Sequence, residues 1–317
     1  MNLPKYAYFR GEIVPYSEAR VGVLTHGLNY GTAVFGGMRA YWNEAEEQLY
    51  VFRLREHFQR FLNSAKIMRM ECSHTPESLS ELTIELLNKE NYRCDIYIRP
   101  LIFKSDEIIG VKLHDLHDEL SIVAFPFERY MANETDAHVT ISSWRRVDDN
   151  MIPARGKISG AYANSALIKT DAVMAGFDEA LVLTQEGHVS EGSAMNVFMV
   201  TAGTVITPPI TENILEGITR RTAVELAREE LGRPVVERPI DRTEVYLCDE
   251  FFMTGTAAQI TAVTRIDHRP VGTGAMGPIT TRLRELYQDV VRGRHPRYRD
   301  WNAPVYITEK IAATKLG

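Results

Sequence analysis

Residues 154–165 read ARGKISGAYANS, and within them Lys157 stands between Gly156 and Ile158, with Tyr162 five positions on. A lysine bonds reversibly to an aldehyde only as the neutral amine, so a catalytic lysine needs its charge disfavoured by desolvation or a cationic neighbour. Gly156, Ile158, Gly160 and Ala161 offer a tight, weakly hydrating setting for one. Taken singly, a lysine before a helix is more often a solvated surface residue.

Other stretches add weight. LEGITR at 215–220 precedes an amphipathic pattern, and Gly217 there allows close backbone approach. Ile218 and Thr219 would present free N–H groups at a helix start, a setting suited to phosphate. Thr256 follows the apolar run FFMT and Gly255, where its hydroxyl and N–H could serve the same anion. Glu191, in VSEGSAMNVF, lies among small residues before a strand and could pair with a protonated pyridine nitrogen. Tyr97 and Arg99 sit at i and i+2 of a strand-like run, so they face one side and suit recognition of a carboxylate. Each feature also has a plain structural explanation: a glycine before a helix, a turn, an exposed glutamate, an edge-strand arginine with its charge in water. The glycines of THGLNYGTAVFGGMRAY (25–41) match neither GxGxxG nor GxxxxGK followed by Ser or Thr, so that stretch is no nucleotide loop. Tyr30 and Phe35 within it either line an apolar pocket or pack in a core.

The elements that must hold these residues follow from periodicity. YAYFRGEIVP reads as two strands around an Arg10-Gly11 turn. Leu54, Phe58, Phe61, Leu62, Ala65 and Met68 fall on one helical face. Thr75-Pro76 starts a second helix with an N-cap and a proline at its first position, burying Leu79, Leu82 and Leu86. Strands are predicted at 95–103 and 121–127, then at 138–144, 179–184 and 195–201. Helices are predicted at 161–175, at 219–231 ending on Gly232, and at 279–291; one or two strands lie in EFFMTGTAAQITAV. Segregated blocks of strand and helix predict an α+β fold.

The 317 residues suit two domains, and 44% hydrophobic with 25% charged suits a globular chain. A net charge of −6 argues against nucleic acid or an anionic membrane as partner. The one dense basic run, RGRHPRYR at 292–299, reads as a solvated surface turn. Three scattered cysteines without CxxC spacing predict neither a disulfide framework nor a metal site, and with them a reducing, cytoplasmic location. No apolar leader follows a basic start, and no run is long enough to span a membrane.

Taken together and in order, FRLREHFQR, YIRPLIF, GKISGAYANS, VSEGSAMNVF, LEGITR and FMTGTAAQIT resemble the motifs of the class IV pyridoxal-phosphate aminotransferases, most of all the branched-chain amino acid aminotransferases. The resemblance implies the two-domain fold type IV, like that of D-amino acid aminotransferase, with pyridoxal 5'-phosphate between the domains. Residues 1–127 would form a small N-terminal domain, 128–137 a linker, and 138–317 a large domain carrying Lys157. It makes Lys157 the Schiff-base lysine. Arg60 would clamp the phosphate with the backbone of Ile218 and Thr219 and with Thr256, and Leu215 and Gly217 would also contact the cofactor. Tyr162 would meet the phenolic oxygen, and Glu191, beside Asn196, the ring nitrogen. Phe35, Tyr97, Arg99, Phe127, Tyr130, Thr256 and Ala257 would form the substrate pocket, with Tyr30 and Val111 reaching that of the neighbouring subunit. A homodimer is implied, and some relatives assemble into hexamers.

The implied reaction is transfer of an amino group from leucine, isoleucine or valine to 2-oxoglutarate. The chain departs from the common pattern at Phe127, where many members carry tryptophan, and at Gly36, where an acidic residue often follows the phenylalanine. SAMN replaces SGEN or AGEN, and LEG replaces LPG. On the same fold, D-amino acid aminotransferase, (R)-selective amine transaminase and aminodeoxychorismate lyase are the alternatives, YIRP and GTAAQIT favouring the branched-chain type. A non-catalytic binding protein would have lost the lysine or the glutamate, and a dehydrogenase would carry a glycine fingerprint after its first strand.

Overall fold

The computed structural model describes residues 3–127 and 133–306. The chain divides into two compact units, Met1–Glu128 with Asp289–Gly317, and Arg129–Gln288.

In the first unit, β1 (Tyr6–Phe9) and β2 (Glu12–Pro15) form the expected hairpin. Arg10 at φ 52° and Gly11 at φ 89° make a turn whose twist suits a two-residue loop. The short helix α1 (His26–Tyr30) leads to β3 (Ala33–Phe35), β4 (Met38–Asn43) and β5 (Gln48–Phe52). Helix α2 (Leu54–Ile67) buries Leu54, Phe58, Phe61 and Ala65; Leu62 and Met68 of the expected face stay partly exposed. Helix α3 (Pro76–Glu90) starts at Thr75-Pro76, as the sequence predicts, and the structure adds a capping box between Thr75 and Ser78. It buries Leu79 and Leu86, whereas Leu82 is half-buried. The long strands β6 (Ile96–Lys104) and β7 (Asp118–Pro126) pair along their whole length. All ladders of this sheet among the described residues are antiparallel.

The second unit holds β8 (Ala137–Arg145), helix α4 (Tyr162–Met174), β9 (Glu179–Leu183), β10 (Val189–Gly192), β11 (Asn196–Thr201) and β12 (Thr204–Thr207). Helix α5 (Ile218–Glu229), β13 (Val235–Glu237), β14 (Glu250–Gly255), β15 (Gln259–Ile266) and β16 (Arg269–Pro270) follow. The sheet is mixed: β8 runs parallel to β9 and β15, while β11, β14 and β15 are antiparallel neighbours. One core packs Val139, Leu181, Val197, Phe251 and Met253. On the other face, Ile168 and Ala172 of α4 pack on Ala180 and Val182 of β9, with Phe177 against them, which fixes the helix that follows Lys157.

Helix α6 (Pro278–Val291) precedes β17 (Asn302–Pro304), which pairs with β5. The sequence-based boundary is corrected here, since residues from Asp289 onward belong with the first unit and not the second. The cause is a long-range ladder that local periodicity does not encode. Residues 128–132 of the expected linker lie outside the described residues, while its end, Ala137, already pairs in β8.

The basic run is corrected too. The Arg292 guanidinium donates to both carboxylate oxygens of Asp95, at 2.9 and 2.8 Å, and to the Trp42 carbonyl at 2.8 Å. Arg299 donates to Glu46 and to the Tyr50 hydroxyl. These arginines fasten the returning chain. Replacing Arg292 by alanine is expected to lower unfolding free energy by about 2 kcal/mol, because charged hydrogen bonds in a part-buried setting are lost. Urea denaturation measures it; an unchanged midpoint would show that the ladder alone holds the segment.

Candidate active site

Lys157 lies in the loop between β8 and α4, half-buried, with Ile158 beside it fully packed. A 3₁₀ turn, Ser159–Ala161, then swings the chain so that Tyr162 opens α4. The Lys157 Nζ donates to the Tyr162 hydroxyl at 2.5 Å. A cavity of about 20 Å³ adjoins them, lined by Arg146, Gly156, Lys157, Tyr162, Ser165 and Leu215 among others. That is room for roughly one water.

Glu191 is not the exposed turn residue that its sequence neighbours left open. It sits on β10 with 3% exposure. The β9–β10 register shifts between Val189 and Glu191, and such an irregularity re-aims a side chain. Its carboxylate is held from several sides. Arg146 Nη2 lies 2.8 Å from Oε1. Oε2 accepts from the Asn196 side-chain amide at 3.1 Å and from the Leu215 N–H at 3.2 Å. Asn196 also donates to the Leu215 carbonyl at 2.8 Å, so one amide orients both the carboxylate and the turn before α5.

Gly217 is the N-cap of α5, and no side chain caps it. A Cβ there would stand 2.1 Å from Asn196 Oδ1, so only glycine lets the helix start close on Asn196. The first intrahelical bond is Arg221 N–H to the Gly217 carbonyl at 3.0 Å. The N–H groups of Ile218 and Thr219 therefore have no acceptor within the helix, and the positive end of its dipole lies with them. Thr256 and Ala257 occupy the tight turn between β14 and β15, where Gly255 pairs with Gln259. Thr254, two residues before Thr256, is the ladder partner of Asn196. The second unit thus gathers Lys157, Tyr162, Glu191, Asn196, Leu215, Gly217, Ile218 and Thr219, with Thr256 and Ala257 on a neighbouring strand end.

Arg60, Phe35, Tyr97, Arg99, Phe127, Tyr30 and Val111 belong to the first unit. Arg60 is half-buried on α2. Tyr97 and Arg99 share a face of β6, and Arg99 Nη2 donates to the Tyr97 hydroxyl at 3.1 Å. The guanidinium carbon lies 4.4 Å from the Phe35 ring centre, and Phe127 packs 5.5 Å from Tyr97. Arg99 Nε is buried with no hydrogen-bond partner among the described residues. Tyr30 and Val111 are drawn together through Gly110, whose N–H donates to the Tyr30 hydroxyl. Gly36 has a local reason for its identity: a Cβ would stand 2.5 Å from the Pro100 ring. Tyr130 lies outside the described residues.

Arg146 is the residue that sequence reasoning missed. SWRRV carries two arginines after a strand, and nothing local says which one turns inward. The usable signal was indirect, since a buried carboxylate requires a cation or donors. The cysteines stay outside this chemistry: all three are free, and burial pushes the Cys248 thiol up to about 12. Among the described residues no cluster of His, Cys, Asp and Glu could hold a metal ion, and no helix is long and apolar enough to cross a membrane.

The motif order, now with this geometry behind it, meets a family model described as amino-transferase class IV, which matches residues 33–266. The chain belongs to that family. A probable branched-chain-amino-acid aminotransferase of Aquifex aeolicus is 48% identical over 301 residues, covering 95% of this chain and 97% of that relative. Among solved structures, the branched-chain amino acid aminotransferase from Thermobaculum terrenum in its PLP form superposes with TM-score 0.92 at 41% identity, covering 97% of this chain and all of that one. The branched-chain aminotransferase of the thermophilic archaeon Thermoproteus uzoniensis, solved with norvaline, gives 0.91 at 42% identity, covering 96% of this chain and 100% of that one. With these class IV relatives sharing the fold at such coverage, the α+β fold type IV architecture is shown.

In this aminotransferase the Arg146–Glu191 pair is expected to couple in a double-mutant cycle. Arg146→Met alone strands a buried carboxylate and should cost about 3 kcal/mol. Combined with Glu191→Gln, urea unfolding should give an interaction energy of about 1–3 kcal/mol. Strict additivity would mean the two groups do not support each other.

Proposed function

We propose that the chain is a pyridoxal-phosphate-dependent branched-chain amino acid aminotransferase, moving the amino group of leucine, isoleucine or valine to 2-oxoglutarate. The observation that carries this is the grouping in the second unit: an amine against a phenol, a buried carboxylate fixed by three donors, and an uncapped helix start. The donor set fits the cofactor's chemistry. When bound, pyridoxal phosphate supplies an aldehyde that takes up the substrate amine and a ring that accepts the electron pair left at Cα.

The protein's own residues then divide the work. Lys157 would hold the cofactor through its aldehyde, and its amine is the group placed to take and return the proton at the substrate Cα. The Tyr162 hydroxyl, already against Lys157 Nζ, would donate to the phenolic oxygen. Glu191 would hold the protonated ring nitrogen, and Arg146 and Asn196 keep its carboxylate oriented for that. The N–H groups of Ile218 and Thr219, the approach opened by Gly217 and the Thr256 hydroxyl would bind the phosphate, a role the family resemblance also gives Arg60. Phe35, Tyr97 and Phe127 contact an aliphatic side chain. Arg99 has an unspent, buried N–H beside the Tyr97 hydroxyl, which suits a second carboxylate, that of glutamate. Tyr130 and Ala257 complete the proposed substrate set. The chain works as a homodimer in the cytoplasm, with Tyr30 and Val111 reaching the neighbouring subunit's pocket.

Purified protein supplied with pyridoxal phosphate should transfer the amino group of leucine to 2-oxoglutarate, and borohydride should fix the cofactor on the peptide containing Lys157. Lys157→Ala is expected to lower kcat by at least about 10³-fold. Cofactor fixed on another lysine, or near-normal turnover in the variant, would overturn the assignment. Arg99→Ala should raise KM for glutamate about tenfold more than KM for leucine, a carboxylate contact being lost from one substrate only. Equal losses would exclude a selective role.

A further inference from the structure

His26 is fully buried, yet neither the motif reading nor the chemistry above uses it. Both ring nitrogens are engaged: Nδ1 lies 2.7 Å from the Thr32 hydroxyl and Nε2 2.7 Å from the Gly110 carbonyl. A carbonyl only accepts, so Nε2 carries a proton; in the neutral ring Nδ1 then accepts from the Thr32 hydroxyl. The same peptide region is gripped a second time, because the Gly110 N–H donates to the Tyr30 hydroxyl at 3.0 Å. His26 and Tyr30 are one turn apart on α1, with rings 4.7 Å between centres. One short helix therefore holds both the donor and the acceptor of a single glycine in the loop after β6. Gly110 has φ +148°, a conformation that side chains rarely adopt, so the clamp acts where the backbone is free to take other shapes. Two further ties align the segments, the His26 N–H to the Asp106 carbonyl at 2.9 Å and a bridge between Thr25 and Glu107. Beyond the clamp, Ile109 and Val111 stand 68% and 79% exposed, as does Leu28 of α1 at 63%.

We infer that His26 is a positioning residue: through the Gly110 carbonyl it sets the loop carrying Ile109 and Val111, and so the contribution of Val111 to a substrate pocket. This rests on the proposed function for the pocket, but the loop ordering stands without it.

Two amide replacements separate the ring's two bonds. In His26→Gln the longer side chain can still donate to the Gly110 carbonyl; in His26→Asn the shorter one reaches only toward Thr32. Hydrogen exchange of the Ile109–Val111 amides in the cofactor-loaded protein is expected to be at least about tenfold faster in His26→Asn and near wild type in His26→Gln. In the same proteins KM for leucine should rise about tenfold for His26→Asn with kcat within about twofold, and His26→Gln should restore it. Unchanged exchange in His26→Asn, or equal loosening in both variants, would overturn the role of the Gly110 bond. Loosened exchange with kcat reduced and KM unchanged would overturn the link to substrate binding. If wild-type protein did not turn over leucine at all, the proposed function would fail, while exchange would still decide the clamp.

Discussion

The candidate site of the second unit is organised around the buried carboxylate of Glu191. A carboxylate with 3% exposure is strongly unfavourable unless donors replace the water it has lost. Here they come from separate stretches: Arg146 after β8, Asn196 at the start of β11, and the Leu215 N–H before α5. Satisfying Glu191 therefore fixes three loops relative to one another. The turn ahead of α5 cannot drift without releasing Leu215, and Asn196 cannot turn away without abandoning both the carboxylate and the Leu215 carbonyl. Gly217 completes the arrangement by omitting the one carbon that would push Asn196 aside.

Charge and apolar packing divide differently in the first unit. The strand pair β6 and β7 gives a rigid face on which Tyr97 and Arg99 stand together, and Phe35 and Phe127 flank them. An arginine lying over an aromatic ring and bonded to a phenol keeps its direction without a carboxylate partner of its own. Its buried Nε has no partner among the described residues and so keeps a donor that an incoming acceptor could take.

Much of this was legible in the sequence because it is local. The Arg10-Gly11 hairpin, the Thr75-Pro76 helix start, the facing pair on β6 and the glycine ahead of α5 each follow from residue types within a few positions. Lys157 and Tyr162 were legible for the same reason, five residues apart across one turn. The resemblance of ordered motifs added the family, which the class IV match shows. What escaped was long-range. Arg146, just after β8, and Glu191 on β10 are an ion pair between segments distant in sequence, and the burial of Glu191 depends on β10, a short strand with no alternation of its own. The return of Asp289 and beyond to the first unit depends on β17 pairing with β5 and on Arg292 finding Asp95. No period of two or 3.6 residues encodes such pairings.

The central claim is that the grouping around Glu191 and the start of α5 is a cradle for a phosphorylated pyridine aldehyde. A crystal structure of the protein with pyridoxal 5'-phosphate tests it most directly. The ring nitrogen should lie within hydrogen-bond reach of the Glu191 carboxylate, about 2.6–3.2 Å, with Arg146 still paired to it and the phosphate on the N–H groups of Ile218 and Thr219. A ring nitrogen facing solvent, or a phosphate bound away from the start of α5, would contradict it.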